Sequence, residues 1–246
     1  MVEPVVANVG WGVLHLFCVP RPDADAEALV AAVKRAEGEG VQVVPVALLG
    51  HKGDLAFMVL GEDWWWLRRF QTDVQAAGLD VLDSYVSMTE MSEYAQGVPD
   101  ELKQARLHPQ LPPEGKPAWC FYPMSKRRGL DRLPVVDGEG EPVGTADADQ
   151  NWFTLPYERR KELMYEHGAS GRTFAGRILQ VVTGSTGVDD FEWGVTLFGQ
   201  HPDDLKEVVY TMRYDTASAR YGEFGTFYTG MVTDIDGLVA ELGLSD

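Results

Sequence analysis

The sequence predicts an α+β protein in which one β-α-β-β-α-β unit is used twice, and three observations carry that reading. Apolar runs of strand length and helical patterns follow one another in the same order in each half of the 246 residues. Apolar residues make up 45% of the chain, enough for a sizeable core. A polar, proline-rich stretch at residues 104–117 separates two parts of ordinary domain size.

Residues 13–19 (VLHLFCV) read as a strand. Residues 23–37 set apolar side chains at helical spacing behind a first turn of acidic residues, which meet the positive end of the helix dipole. Residues 41–48 and 55–60 are short apolar runs around a glycine-containing turn. Residues 62–77 return to helical spacing, and residues 79–88 (LDVLDSYVSM) to strand character. The second half repeats the order. Residues 118–124 form a strand, and residues 156–166 a helix with Pro156 in its first turn and His167 just past its end. Residues 178–183 and 191–198 form strands around GSTGVDD. A helix at 202–213, a short helical piece at 215–221 and a strand at 226–232 complete the unit. Residues 129–150 are rich in Gly, Asp and Glu without periodicity and read as an irregular insertion. The pattern is a ferredoxin-like unit repeated, laid out as residues 1–105, a linker at 106–117, and residues 118–246.

Composition excludes several roles. A net charge of −17 repels nucleic acid and acidic membrane surfaces, so neither partner is expected. No apolar run approaches the ~18–20 residues of a membrane helix. The first ten residues lack the basic and small-residue features of a signal peptide, and a cytoplasmic location is expected. Cys18 and Cys120, the two cysteines, sit in strand-like apolar runs and read as buried small hydrophobes.

Of the five histidines, His15, His51, His108 and His201 read as structural or solvated. His167 leaves a helix end with no second ligand at zinc spacing. A lone neutral imidazole suits an axial position on a porphyrin iron, where the macrocycle supplies the other donors. FYPMSKRR, residues 121–128, reads either as a strand end with a solvated basic tail or as an anion clamp in an acidic protein. Trp64, Trp65 and Trp66 read as packing or interface residues. Ser185 and Ser218 lack the context of a hydrolase nucleophile, and the glycine strings do not form a dinucleotide loop.

The segments FYPMSKRR, NWFTLPYERRKELMYEHGASGRTFAGRILQVVTGSTG, DDFEWGVTLF and MRYDTASARYGEFGTFYTG resemble the coproheme decarboxylases of the chlorite dismutase superfamily, in the Firmicutes-type branch. The resemblance spans most of residues 106–230; before that it lies in element order alone. It implies a dimeric α+β barrel made from the two ferredoxin-like units and a homopentamer, and the 129–150 insertion is a candidate lid or a candidate transient contact with ferrochelatase. It implies hydrogen peroxide-dependent conversion of two propionates of Fe-coproporphyrin III to vinyls, giving haem b. His167 would be the axial ligand and Tyr122 the catalytic residue, acting as a tyrosyl radical. Arg106, Lys126 and Ser218 correspond to groups that hold propionates, with Pro123, Met124 and Ser125 in the same lining segment and Gln180 above the iron. The chain departs from the pattern in two extra residues between Arg106 and Tyr122, a longer 129–150 insertion, and Phe153 where Tyr is common. A chlorite dismutase would place an arginine, not Gln180, above the iron. A haem carrier or sensor would keep His167 but need no tyrosine beside a carboxylate clamp.

Overall fold

The computed structural model describes residues 2–95, 97, 99–128, 134–140, 142–145 and 151–244. The first half runs β1 (Gly12–Pro20), α1 (Ala26–Gly38), β2 (Gln42–Leu48), β3 (Leu55–Gly61), α2 (Trp64–Ala76) and β4 (Leu79–Thr89). Both helices start on an aspartate whose side chain accepts a backbone N–H of the first turn: Asp25 from Ala28, Asp63 from Trp65. Such a cap stabilises a helix by about 1 kcal/mol. Next come α3 (Asp100–Leu107), β5 (Ala118–Lys126), β6 (Pro134–Val136) and β7 (Pro142–Thr145). The second unit continues through α4 (Tyr157–Arg172), β8 (Ile178–Gly184), β9 (Trp193–Gly199), α5 (Pro202–Met212), α6 (Thr216–Tyr221), β10 (Gly222–Phe224), β11 (Tyr228–Val232) and α7 (Ile235–Glu241).

The strand order is β10-β5-β11-β2-β3-β1-β4-β8-β9, and β5 also pairs with β9. That last pairing closes a ring: β5, β11, β2, β3, β1, β4, β8, β9 and back to β5. Each unit contributes the ferredoxin-like order, β4-β1-β3-β2 and β11-β5-β9-β8, and every pairing around the ring is antiparallel. Closure removes exposed sheet edges. The expected α+β barrel of two ferredoxin-like units is therefore the observed fold.

Alternation along the strands divides the core into layers. Val13, Phe17, Met58, Tyr85, Trp119, Phe121, Phe198 and Tyr228 fill the barrel. His15 is fully buried among them, stacked on Phe121 at 4.1 Å. The opposite face of the first unit packs on α1, α2 and α7. The corresponding face of the second unit, with Cys120, Tyr122, Val195 and Leu197, packs on Leu205 and Val208 of α5. Cys18 and Cys120 are both free and buried, as their apolar contexts predict.

Four sequence expectations change. Residues 104–117 are not wholly irregular, because α3 extends to Leu107, which buries its side chain. The insertion expected to be irregular contains the β6–β7 hairpin, turning on Gly140 at φ 84°; residues 129–133, 141 and 146–150 lie outside the described residues. The helix expected to stop at residue 166 runs on to Arg172, so His167 sits inside it. Residues 235–244 belong physically to the first unit, since Ile235, Leu238 and Val239 join the cluster under α1 and α2.

Candidate functional site

Strands β8, β9 and β5 turn one row of side chains after another onto the outer face of the second unit. Val182 stands opposite Val195, which stands opposite Tyr122. Gln180, Leu197 and Cys120 form the next row, and Gly184, Trp193 and Met124 the row on the other side. Helix α5 covers part of this face, but Gln180 is exposed and Val182 is 41% exposed. An apolar strand residue left so open marks a part of the sheet that the described residues do not cover.

Helix α4 leads into β8 of this sheet. It rests mainly on α5 and α6, and of its 16 residues Leu163 alone is buried. The segment after His167 is small: Gly168, Ala169, Ser170 and Gly171. A Cβ at Gly168 would meet only the Arg172 side chain, at 3.5 Å, so the backbone of this turn is open on that side. Two interior glycines cost about 1 kcal/mol each relative to alanine.

His167 is held by α6. Its Nδ1 lies 3.0 Å from Asp215 Oδ2 and 3.3 Å from Ser218 Oγ, and the Ser218 hydroxyl in turn donates to Asp215 Oδ2 at 3.1 Å. Asp215 is the N-cap of α6, with its other oxygen accepting the Ser218 amide at 2.9 Å. Although burial raises the carboxyl, the bonds from His167 and Ser218 outweigh it, and its pKa falls below the usual value. An ionised Asp215 accepts from Nδ1–H, which leaves Nε2 as the free lone pair.

Lys126 lies beneath this pair, 4% exposed, donating to the Ala217 carbonyl at 3.3 Å and sitting 4.9 Å over the Trp152 ring. Burial lowers its pKa to about 8 against the attraction of Asp215 and Glu192. The other cations of FYPMSKRR are also internally paired: Arg127 with Glu223 at 3.5 Å, Arg128 with Glu192 at 2.8 Å. A cavity of about 350 Å³ beside them carries Asp189, Asp190, Glu192 and Glu223 as well as Lys126 and Arg128, so it is not an anion pocket.

Tyr122 is buried against Phe227, stacked at 4.4 Å, with Phe224 edge-on at 5.7 Å. Burial pushes its phenol well above the ordinary range, so the hydroxyl keeps its proton. The structure separates the remaining expected site residues. Met124 shares the face of Tyr122, whereas alternation turns Pro123 and Ser125 away, and Ser125 Oγ accepts the Glu192 amide at 3.2 Å. Ser218 is committed to His167 and Asp215. Arg106 is exposed in the last turn of α3, with no hydrogen bond or ion pair to another described residue. Asp215 escaped the sequence reading; DTAS marks a helix cap, but nothing local links it to a histidine 48 residues away.

These residues suit a metalloporphyrin. The second unit holds an exposed apolar strand residue, a small-residue helix turn and one imidazole nitrogen left free. Among the described residues no cluster of three or more His, Cys, Asp or Glu could hold a bare metal ion. Among them, too, no helix is long and apolar enough to cross a membrane.

The chlorite dismutase family model matches residues 23–233. The structure is similar to that of a novel heme-binding protein from Thermus thermophilus, with 32% identity and a TM-score of 0.78 over 98% of this chain and 100% of that one. A variant of chlorite dismutase from Candidatus Nitrospira defluvii aligns at 18% identity and TM-score 0.70, covering 96% of this chain and 97% of that one. The same enzyme in complex with imidazole gives 18% and 0.70, with 96% of each chain covered. At 18% these likenesses speak for the fold alone.

Proposed function

The chain belongs to the chlorite dismutase family, and from that premise we propose that it is a coproheme decarboxylase, which binds Fe-coproporphyrin III and converts two of its propionates to vinyls to give haem b. The observation that carries this reading is Tyr122, a buried phenol kept neutral by desolvation, in the same strand row as Val195 and the exposed Val182. The substrate porphyrin, with hydrogen peroxide, supplies the oxidising power.

The chain's own residues supply placement. His167 would hold the iron through Nε2, with Asp215 fixing the Nδ1 proton and the ring orientation. Lys126 balances the buried Asp215 charge, so that the imidazole partner stays ionised without an uncompensated anion under the site. Burial opposes ionisation of Tyr122 and keeps the phenol neutral. The phenol would give a hydrogen atom to the peroxide-derived oxidant and then, as the radical, take one from a propionate β-carbon; loss of CO2 and of a second electron to the oxidant would leave the vinyl. Val182, Val195 and Leu197 form an apolar floor that a bound porphyrin would cover and keep dry. Met124 borders the same floor, and Gln180 presents a neutral amide on the same face, where it would meet the bound group.

A chlorite-consuming enzyme needs a cation to hold its oxyanion, and the outer-face positions Gln180, Val182, Val195, Leu197, Tyr122 and Met124 include none. The test is to load the protein with Fe-coproporphyrin III, titrate in peroxide and follow porphyrin mass. Two successive losses of one carboxyl group each support the decarboxylase. Binding with unchanged mass refutes it and leaves a carrier or sensor. The same reading makes the chain a homopentamer, which native mass measurement checks.

A further inference from the structure

Glu90 follows the last residue of β4, at the seam where β4 meets β8 with Met88 opposite Gly184. Its side chain folds onto the outer sheet face. One carboxylate oxygen accepts the indole N–H of Trp193 at 3.1 Å. A Cβ built on Gly184 would collide with both carboxylate oxygens, so the carboxylate fills the space that any other residue at 184 would occupy. Trp193 stands between Gly184 and Met124 in the row next to Tyr122. Contact with this surface desolvates the carboxyl and raises its pKa. Four residues further on, Tyr94 accepts from Arg160 Nε of α4 at 3.0 Å and stacks on Tyr157 at 5.8 Å. The segment is thus tied to the sheet at Glu90 and to α4 at Tyr94.

A glutamate side chain is itself a propionate: two methylenes ending in a carboxylate. The Trp193 N–H is donor only, and gains most from an ionised acceptor. Two carboxylates cannot share this one donor without strong repulsion.

We propose that the Trp193 indole N–H and the bare Gly184 backbone form a subsite for one porphyrin propionate, and that Glu90 occupies it in the ligand-free chain as an internal stand-in that the substrate displaces. The proposal rests on the porphyrin-binding reading above. It assigns Glu90 as a positioning residue that sets apparent affinity and Trp193 as the direct propionate contact. An intramolecular competitor lowers apparent affinity by the fraction of molecules in which it is bound.

The experiment is equilibrium binding of Fe-coproporphyrin III, followed by its absorbance, to the wild type, Glu90→Ala and Trp193→Phe, with the tetramethyl ester as a probe lacking carboxylates. Glu90→Ala is expected to tighten free-acid binding by about tenfold if the stand-in holds about 90% of molecules. Trp193→Phe is expected to weaken it several-fold, and neither change should alter ester binding. Should Trp193→Phe fail to fold, Glu90→Ala with both probes still decides. Unchanged or weakened free-acid binding in Glu90→Ala overturns the stand-in. Equal shifts for acid and ester overturn the carboxylate subsite. A wild type that binds neither probe refutes the porphyrin reading and this proposal together, whereas normal binding without a Glu90 effect refutes this proposal alone.

Discussion

His167 Nδ1 lies 3.0 Å from the Asp215 carboxylate, joining the interior of α4 to the first residue of the α6 cap. This contact decides which imidazole nitrogen can face a ligand. Asp215→Asn keeps an N-cap side chain but removes the charge. Porphyrin affinity should fall by about 10–100-fold, the usual cost of losing such a partner. Titration of the loaded variant, with iron–imidazole vibrational spectra, checks it; unchanged spectra would deny Asp215 its orienting role.

Asp215 also predicts acid sensitivity. Its folded pKa lies below the ordinary value, so the unfolded chain binds a proton first as pH falls. The stability it contributes is present above the unfolded pKa and is lost as pH drops toward the lowered folded one. Denaturant unfolding between pH 6 and pH 3 should show a shallower fall for Asp215→Asn than for the wild type.

Tyr122→Phe removes one oxygen from a buried ring while keeping the stack on Phe227. Porphyrin binding should remain within a few-fold of wild type while decarboxylation stops. Product mass after peroxide addition is the measurement, and retained turnover would remove Tyr122 from the chemistry.

His15 predicts a second pH effect from inside the barrel. Complete burial lowers its pKa to about 3, and its Nε2 is bonded to Thr196 Oγ1 at 3.0 Å. Below the unfolded value near 6.5 only the unfolded chain takes up the proton. Stability should therefore fall by about 1.4 kcal/mol per pH unit from there toward pH 3. His15→Gln should flatten that slope in the same denaturation series.

Burial raises the Cys18 thiol to about 12 and the Cys120 thiol to about 11. The folded protein should react with a thiol reagent at pH 8 far more slowly than the unfolded chain, which should release both thiols. Rapid labelling in the native state would contradict the packed barrel wall around them.

The repeated β-α-β-β-α-β order was legible because strand and helix periods are local properties of the chain. Val13–Val19 and Ile178–Thr183 announce strands, and the helical spacing of residues 23–37 and 62–77 announces helices, without reference to distant residues. The end of α4 was not legible. Local propensity stops the helix at Gly168, yet packing on α5 and α6, with Met212 against Gly171, carries it to Arg172. In the same way FYPMSKRR announces a basic segment, but not that Glu223, Glu192 and Asp215 from elsewhere in the chain face its cations.

By itself, then, the sequence determined the α+β class, the doubled unit, and the prominence of Tyr122 and His167. Tertiary structure alone decided that β5 closes on β9, that Asp215 holds His167, that Ser125 turns away while Met124 stays, and that Glu90 covers Gly184. The reason is physical. Periodicity and capping act over a few residues, whereas ring closure, charge pairing and the occupancy of a bare glycine floor depend on contacts between residues far apart in the chain, whose energies no local pattern encodes.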